Sequence, residues 1–68
     1  MSNTNNILDS WNDVKALVEQ TEVDVLKNAN GNSAAGVRAR RALRLIREKT
    51  SALVKLTIAA EKVRKSDD

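Results

Sequence analysis

Ten cations crowd the second half of this chain: Arg38, Arg40, Arg41, Arg44, Arg47, Lys49, Lys55, Lys62, Arg64 and Lys65. A guanidinium grips an oxyanion with two parallel N–H bonds, and an ammonium adds a compact point charge. The chemistry open to such a set is therefore anion binding. Only Glu48, Glu61, Asp67 and Asp68 oppose them, so ten cations against four carboxylates leave +6 over residues 33–68. Residues 1–32 reverse the sign, with Asp9, Asp13, Glu19, Glu22 and Asp24 against Lys15 and Lys27, five against two, or −3. The change falls at residues 31–36, Gly-Asn-Ser-Ala-Ala-Gly. One acidic and one strongly basic half imply an acidic partner, and nucleic acid is the commonest.

Other chemistries are missing their parts. The chain has neither His nor Cys, which removes the usual general base, the usual metal ligands and any disulfide. It has no Gly-rich phosphate loop and no nucleophile–base pair, and Asp9, Asp13 and Asp24 fall on the outer side of their helix, where a carboxylate is solvated. No enzyme, cofactor, metal site or small-molecule substrate is expected. Trp11 is the sole aromatic residue; it reads as core, and stacking on single-stranded bases is not expected. No apolar run approaches the ~20 residues of a membrane span. Residues 1–6 are polar with no apolar signal core behind them, so a soluble cytoplasmic protein is expected.

The cations need a rigid element to hold them. With no Pro, and Gly only at Gly31 and Gly36, the sequence reads as helix throughout. Thr4, Asn5 and Asn6 are candidate caps for a first helix over about residues 5–28, with Asp9 in its first turn. Ile7, Trp11, Val14, Val18, Thr21 and Val25 repeat at steps of 4 and 3, a heptad seam that Leu8, Leu17 and Leu26 widen on both sides. The helix is expected to stop where Asn30 and Gly31 can turn left-handed. After a loop over about residues 29–33, Ser33 is the natural cap of a second helix running to about residue 65. Its seam is Ala35, Ala39, Ala42, Ile46, Leu53, Leu56, Ala60 and Val63, widened by Leu43, Leu45, Ala52, Val54 and Ala59 to about half the circumference. One partner helix cannot cover so wide a stripe. A single domain of all-α class is therefore expected, an antiparallel two-helix hairpin that pairs with itself as a dimeric four-helix bundle. Trp11, Val14, Val18, Ile46, Leu53 and Leu56 form its core. At 68 residues and with no disulfide or metal, the chain needs such support.

At 100° per residue, Arg40, Arg44, Arg47, Lys55, Lys62 and Lys65 fall on one side of the second helix, nearly opposite its seam, with Arg41 at the border. Arg38 and Lys49 point instead to the edge of the core, with Arg64 near it. Arg40, Arg44 and Arg47 recur on successive turns, on the scale of neighbouring phosphates, and each contact with a duplex releases condensed counterions. The start of the second helix, at Asn32 and Ser33 with small Ala34, Ala35 and Gly36 beside them, has free N–H groups that a phosphate can approach. The small residues equally serve tight helix packing at the bend. No helix-turn-helix pattern or basic-region zipper is present, so contacts to the nucleic-acid backbone are expected, with little base readout.

The run over residues 31–43, GNSAAGVRARRAL, resembles the GNKAAG-x-R-x-R-K-A motif of small bacterial histone-like proteins, the linker-histone-like nucleoproteins known from chlamydiae and found in other bacteria. The likeness extends over about residues 14–65, and the central motif is its specific part. It implies a DNA-binding helical hairpin that compacts or organises the nucleoid, with Arg38, Arg40 and Arg41 as the motif's basic residues and Gly31, Asn32 and Gly36 as its turn. Ser33 stands where the family often has Lys. The long Lys/Arg/Ala-rich tail of some members does not follow, so the folded helices are expected to supply the whole DNA surface. Duplex DNA and a second copy are the partners expected. Two other readings share the hairpin: an RNA-binding dimer of the plasmid copy-control type, and an interaction module that binds no nucleic acid.

Overall fold

The computed structural model describes the backbone of residues 3–67 and the side chains of residues 6–63. Two helices make up the fold, α1 (Asn3–Ala29) and α2 (Ser33–Asp67), antiparallel across a three-residue turn. The hairpin is a rod, 54 × 15 × 14 Å. Neither helix is long and apolar enough, among the described residues, to cross a membrane.

The turn is closed by hydrogen bonds at both of its ends. Asn32 N donates to Lys27 O at 3.0 Å and Gly31 N to Asn28 O at 3.0 Å. This crossed pair satisfies the last carbonyls of α1 and needs a left-handed residue just past the helix. Gly31 takes that place with φ of +101°, whereas Asn30 keeps negative φ. Asn32 then starts α2. Its side-chain Oδ1 accepts the Ala35 N–H at 2.9 Å, and its carbonyl accepts the Gly36 N–H at 3.2 Å. Asn32, not Ser33, is thus the cap. Once Gly31 has reversed the chain, Asn32 already has its carbonyl in the first helical bond, and Ser33 lies inside the helix.

The expected caps of α1 also shift. Thr4, Asn5 and Asn6 lie within the helix that starts at Asn3, and Asp9 is beyond its first turn. The side chains of Thr4 and Asn5 fall outside the described residues, and α2 runs to Asp67, past the end expected near residue 65.

The seam between the helices is narrow and built from small residues. Val14 and Thr21 on α1 and Ala35, Ala39 and Ala60 on α2 are buried, with Gly36 beside them. Ile7, Ser10, Leu17 and Asp24 complete the seam of α1, half-buried, against Ala42, Ile46, Thr50, Leu53 and Leu56. Thr21 satisfies its hydroxyl by donating to Leu17 O at 2.6 Å within its own helix. The expected seam of α1 is therefore corrected at every second step. Ile7, Val14 and Thr21 face α2 as expected, but Ser10, Leu17 and Asp24 accompany them, and Trp11, Val18 and Val25 are exposed. A heptad ladder leaves this choice of side open, and the side that faces α2 is the one that lets Asp24 bond to Arg38.

Candidate nucleic-acid interface

The cations of α2 divide by their place on the helix. Arg40, Arg41, Arg44, Arg47, Lys55 and Lys62 are exposed on the side turned from α1. They lie there because Ala35, Ala39, Ala42, Ile46 and Leu53 commit the opposite side to the seam, and a straight helix keeps that opposition over its length. Among the described residues, no carboxylate stands within ion-pair distance of Arg40, Arg41, Arg44, Arg47 or Lys55. Their donors are therefore available to an external oxyanion. From Arg40 to Lys62 the set extends about 33 Å along the axis, close to one turn of duplex DNA.

Arg38 is different. Its Nε donates to Asp24 Oδ1 at 3.1 Å, with the Arg side chain 51% and the Asp 24% exposed. The expectation that Arg38 points to the edge of the core holds, but the expectation that Asp24 lies on the outer, solvated side of its helix does not: Asp24 is half-buried and faces α2, where the Arg38 guanidinium reaches it. The signal was present: Asp24 and Arg38 each stand seven residues from Gly31, so an antiparallel fold about that glycine brings them level. Lys49 also sits at the edge, beside Ser10, Asp13 and Ala52 in a small hollow. Glu48 lies among the outward cations, sharing a shallow hollow with Arg47, Ser51 and Lys55. It is the one acidic interruption within the middle of the set.

At the turn, Ser33 is exposed, while Asn32 has its Oδ1 engaged by the Ala35 N–H. Asn32 thus serves the fold at that atom, and Ser33 alone of the two offers an unengaged position beside the helix start. Gly36 is buried where α2 crosses Asn28. A Cβ there would press on the Asn28 amide nitrogen and lie 3.1 Å from an Arg40 guanidinium nitrogen. Lys65 lies outside the described side chains, as does Arg64. Of the residues expected in an oligomer core, Val14 is buried within the hairpin. Ile46, Leu53 and Leu56 are half-buried, and Trp11 and Val18 are each 48% exposed.

A family model described as Histone H1-like protein Hc1 matches residues 9–66. The chain belongs to this family. The match takes in most of α1, the whole turn and nearly all of α2, including every outward cation named above. The Hc1 family is one of histone-like, DNA-binding nucleoid proteins and not of enzymes. No curated protein and no solved structure matches the chain.

Proposed function

We propose that this member of the Hc1 family binds duplex DNA through its backbone phosphates, with little sequence preference, and organises or compacts it as a nucleoid-associated protein. The observation that carries the reading is the unpaired row Arg40, Arg44, Arg47 and Lys55 on the outer side of α2, with Arg41 beside it. Such a row meets the phosphates of one face of a duplex and gains counterion release at each contact. It offers no groove-reading element, since α2 is continuous with the hairpin and carries no recognition turn. Membership of a histone-like family supports a DNA target.

The reading includes a dimer in the form of a four-helix bundle. Its support is the thinness of the seam: among the described residues no large side chain is fully buried, and the core is one Val, three Ala and a Thr. A hairpin of this size gains too little from so small a core to stand alone. The experiment is a titration of random-sequence duplex at two salt concentrations, with the mass of the complex measured. Steep weakening with salt and an even number of chains per complex are expected. A salt-independent affinity for one sequence, or preference for a folded RNA competitor, overturns the reading.

A further inference from the structure

We infer that the second copy docks on one particular flank of the hairpin, the one that carries Trp11, Val18 and Val25 of α1 and Leu43, Val54 and Ile58 of α2. The inference rests on the dimer reading above and adds to it which surface is used.

The two flanks of the rod are unlike. On one, Val18, Val25 and Leu43 line an open groove between the helices, with Ile46 at its floor and Glu22 at its rim. Trp11 continues this line one heptad before Val18. Val54 lies three turns beyond Leu43 on the same side of α2, and Ile58 one turn further. All six are between two-fifths and three-fifths exposed, although they are large and apolar. On the other flank Ser10, Asp13, Asp24, Arg38 and Lys49 break up the apolar surface of Leu45 and Val63, and the Asp24–Arg38 bond crosses it. A polar, bonded flank loses by being covered, and an apolar one gains.

The occupant is argued from size and from charge. A flank 54 Å long and 15 Å wide presents about 800 Å², the area each partner contributes to a stable interface of standard size. Six large apolar side chains about half exposed on one flank, Trp11, Val18, Val25, Leu43, Val54 and Ile58, make the kind of cluster that marks an interaction surface. The rim carries both signs, Glu22 from acidic α1 and Arg40 and Arg47 one turn either side of Leu43 on basic α2. A surface with both signs on its edges complements itself under a twofold rotation, as an isologous interface must. Pairing on this flank covers Trp11 and Val18, the residues the hairpin leaves outside its own seam. Arg44 and Lys55, on the side turned from α1, remain uncovered in both copies, so the dimer presents two sets of cations.

The test uses the full chain and reads its mass by sedimentation over a range of concentrations. The variant V18E/L43E alters the flank. The variant V23E/V37E changes net charge equally at two exposed apolar residues on the far sides of the helices, turned from the seam. A dimeric parent is expected, with dissociation raised about a hundredfold or more by V18E/L43E and by less than about threefold by V23E/V37E. A dimer that V18E/L43E leaves as tight as the parent overturns the assignment of the flank and leaves the dimer reading standing. A parent that stays monomeric at every concentration overturns both. Since a glutamate pair can unfold a small protein, the parent's own Trp11 supplies a second measurement. Its emission is expected to move to the red, and its quenching by acrylamide to rise, as dilution dissociates the dimer; emission that does not follow dissociation overturns the inference.

Discussion

Arg38 Nε stands 3.1 Å from Asp24 Oδ1, so the first cation of α2 is held by the acidic helix. The bond crosses the hairpin about two turns from Gly31 and accompanies an orientation of α1 that places Asp24 toward α2. Because Asp24 faces α2, Leu17 and Ser10 follow on the same side, and Val25, Val18 and Trp11 are turned out. The same orientation of α1 that withholds Arg38 from an external anion leaves Trp11, Val18 and Val25 uncovered by the hairpin.

Replacing Asp24 by Asn separates these effects. The pair is half-exposed, so its loss is expected to cost no more than about 1 kcal/mol of stability, as for surface ion pairs generally. The Arg38 guanidinium is then free to join the row on α2. Duplex DNA is expected to bind more tightly at low salt, with a salt dependence steeper by about one contact, or ~0.9 in the slope of log K against log salt. The measurement is fluorescence anisotropy of a labelled duplex with the parent and D24N. Weaker binding by a D24N protein of unchanged helicity would count against Arg38 as a reserve cation.

The unpaired row makes a second prediction. If Arg40, Arg41, Arg44, Arg47 and Lys55 each meet a phosphate, the slope of log K against log salt is about −4.5 for one chain. Arg44→Ala is expected to flatten it by about 0.9, whereas Ser33→Ala leaves it unchanged because a hydroxyl displaces no counterion. Changing Arg40, Arg44 and Arg47 together to Glu is expected to abolish binding with no loss of helical signal. A triple variant that loses its oligomer, from a parent that binds no DNA, would favour the protein-interaction reading.

Much of this was legible in the residues. The hairpin followed from two heptad seams separated by Gly31, and the outward row followed from the opposition of Arg40, Arg44 and Arg47 to Ala42 and Ile46 at helical spacing. The side of α1 that packs was not legible, because Trp11, Val18 and Val25 make a more apolar seam than Ser10, Leu17 and Asp24. Hydropathy favours the first set, and the side that packs is the one that allows a bond between helices and meets the small residues of α2. The cap at Asn32 was hidden for a related reason: Ser33 is as good a capping residue, and only the backbone path after Gly31 decides between them.

The turn offers a third prediction, on stability. Gly31 has φ of +101° and nothing within 4 Å of the place a Cβ would take, so its requirement is purely one of backbone conformation. Gly31→Ala is expected to destabilise by about 1–2 kcal/mol, the usual cost of a side chain in that region. Asn32→Ala removes the acceptor for the Ala35 N–H and is expected to cost about 1 kcal/mol. Urea unfolding at one fixed protein concentration, followed by circular dichroism, checks both, the fixed concentration being needed if unfolding is coupled to dissociation. A Ser33→Ala change that costs as much as Asn32→Ala would refute the assignment of the cap.

Gly36 makes a prediction in which two effects oppose. Alanine there gains about 1 kcal/mol in helix propensity over glycine. Its methyl meets the Asn28 amide, which must swing away and give up its 3.3 Å bond to Asn32 O. That loss is worth about 0.5–1.5 kcal/mol, so Gly36→Ala alone is expected to leave stability near the parent value. In a background of Asn28→Ala the obstruction is gone, and the same change is expected to stabilise by about 1 kcal/mol. The difference between the two backgrounds, measured as a double-mutant cycle by urea unfolding, isolates the contact between α1 and α2 at this crossing. Equal effects in both backgrounds would show that Gly36 is not needed for the approach of the helices. A stabilisation confined to the Asn28→Ala background places the closest packing of the hairpin beside the turn, at the crossing of Gly36 and Asn28.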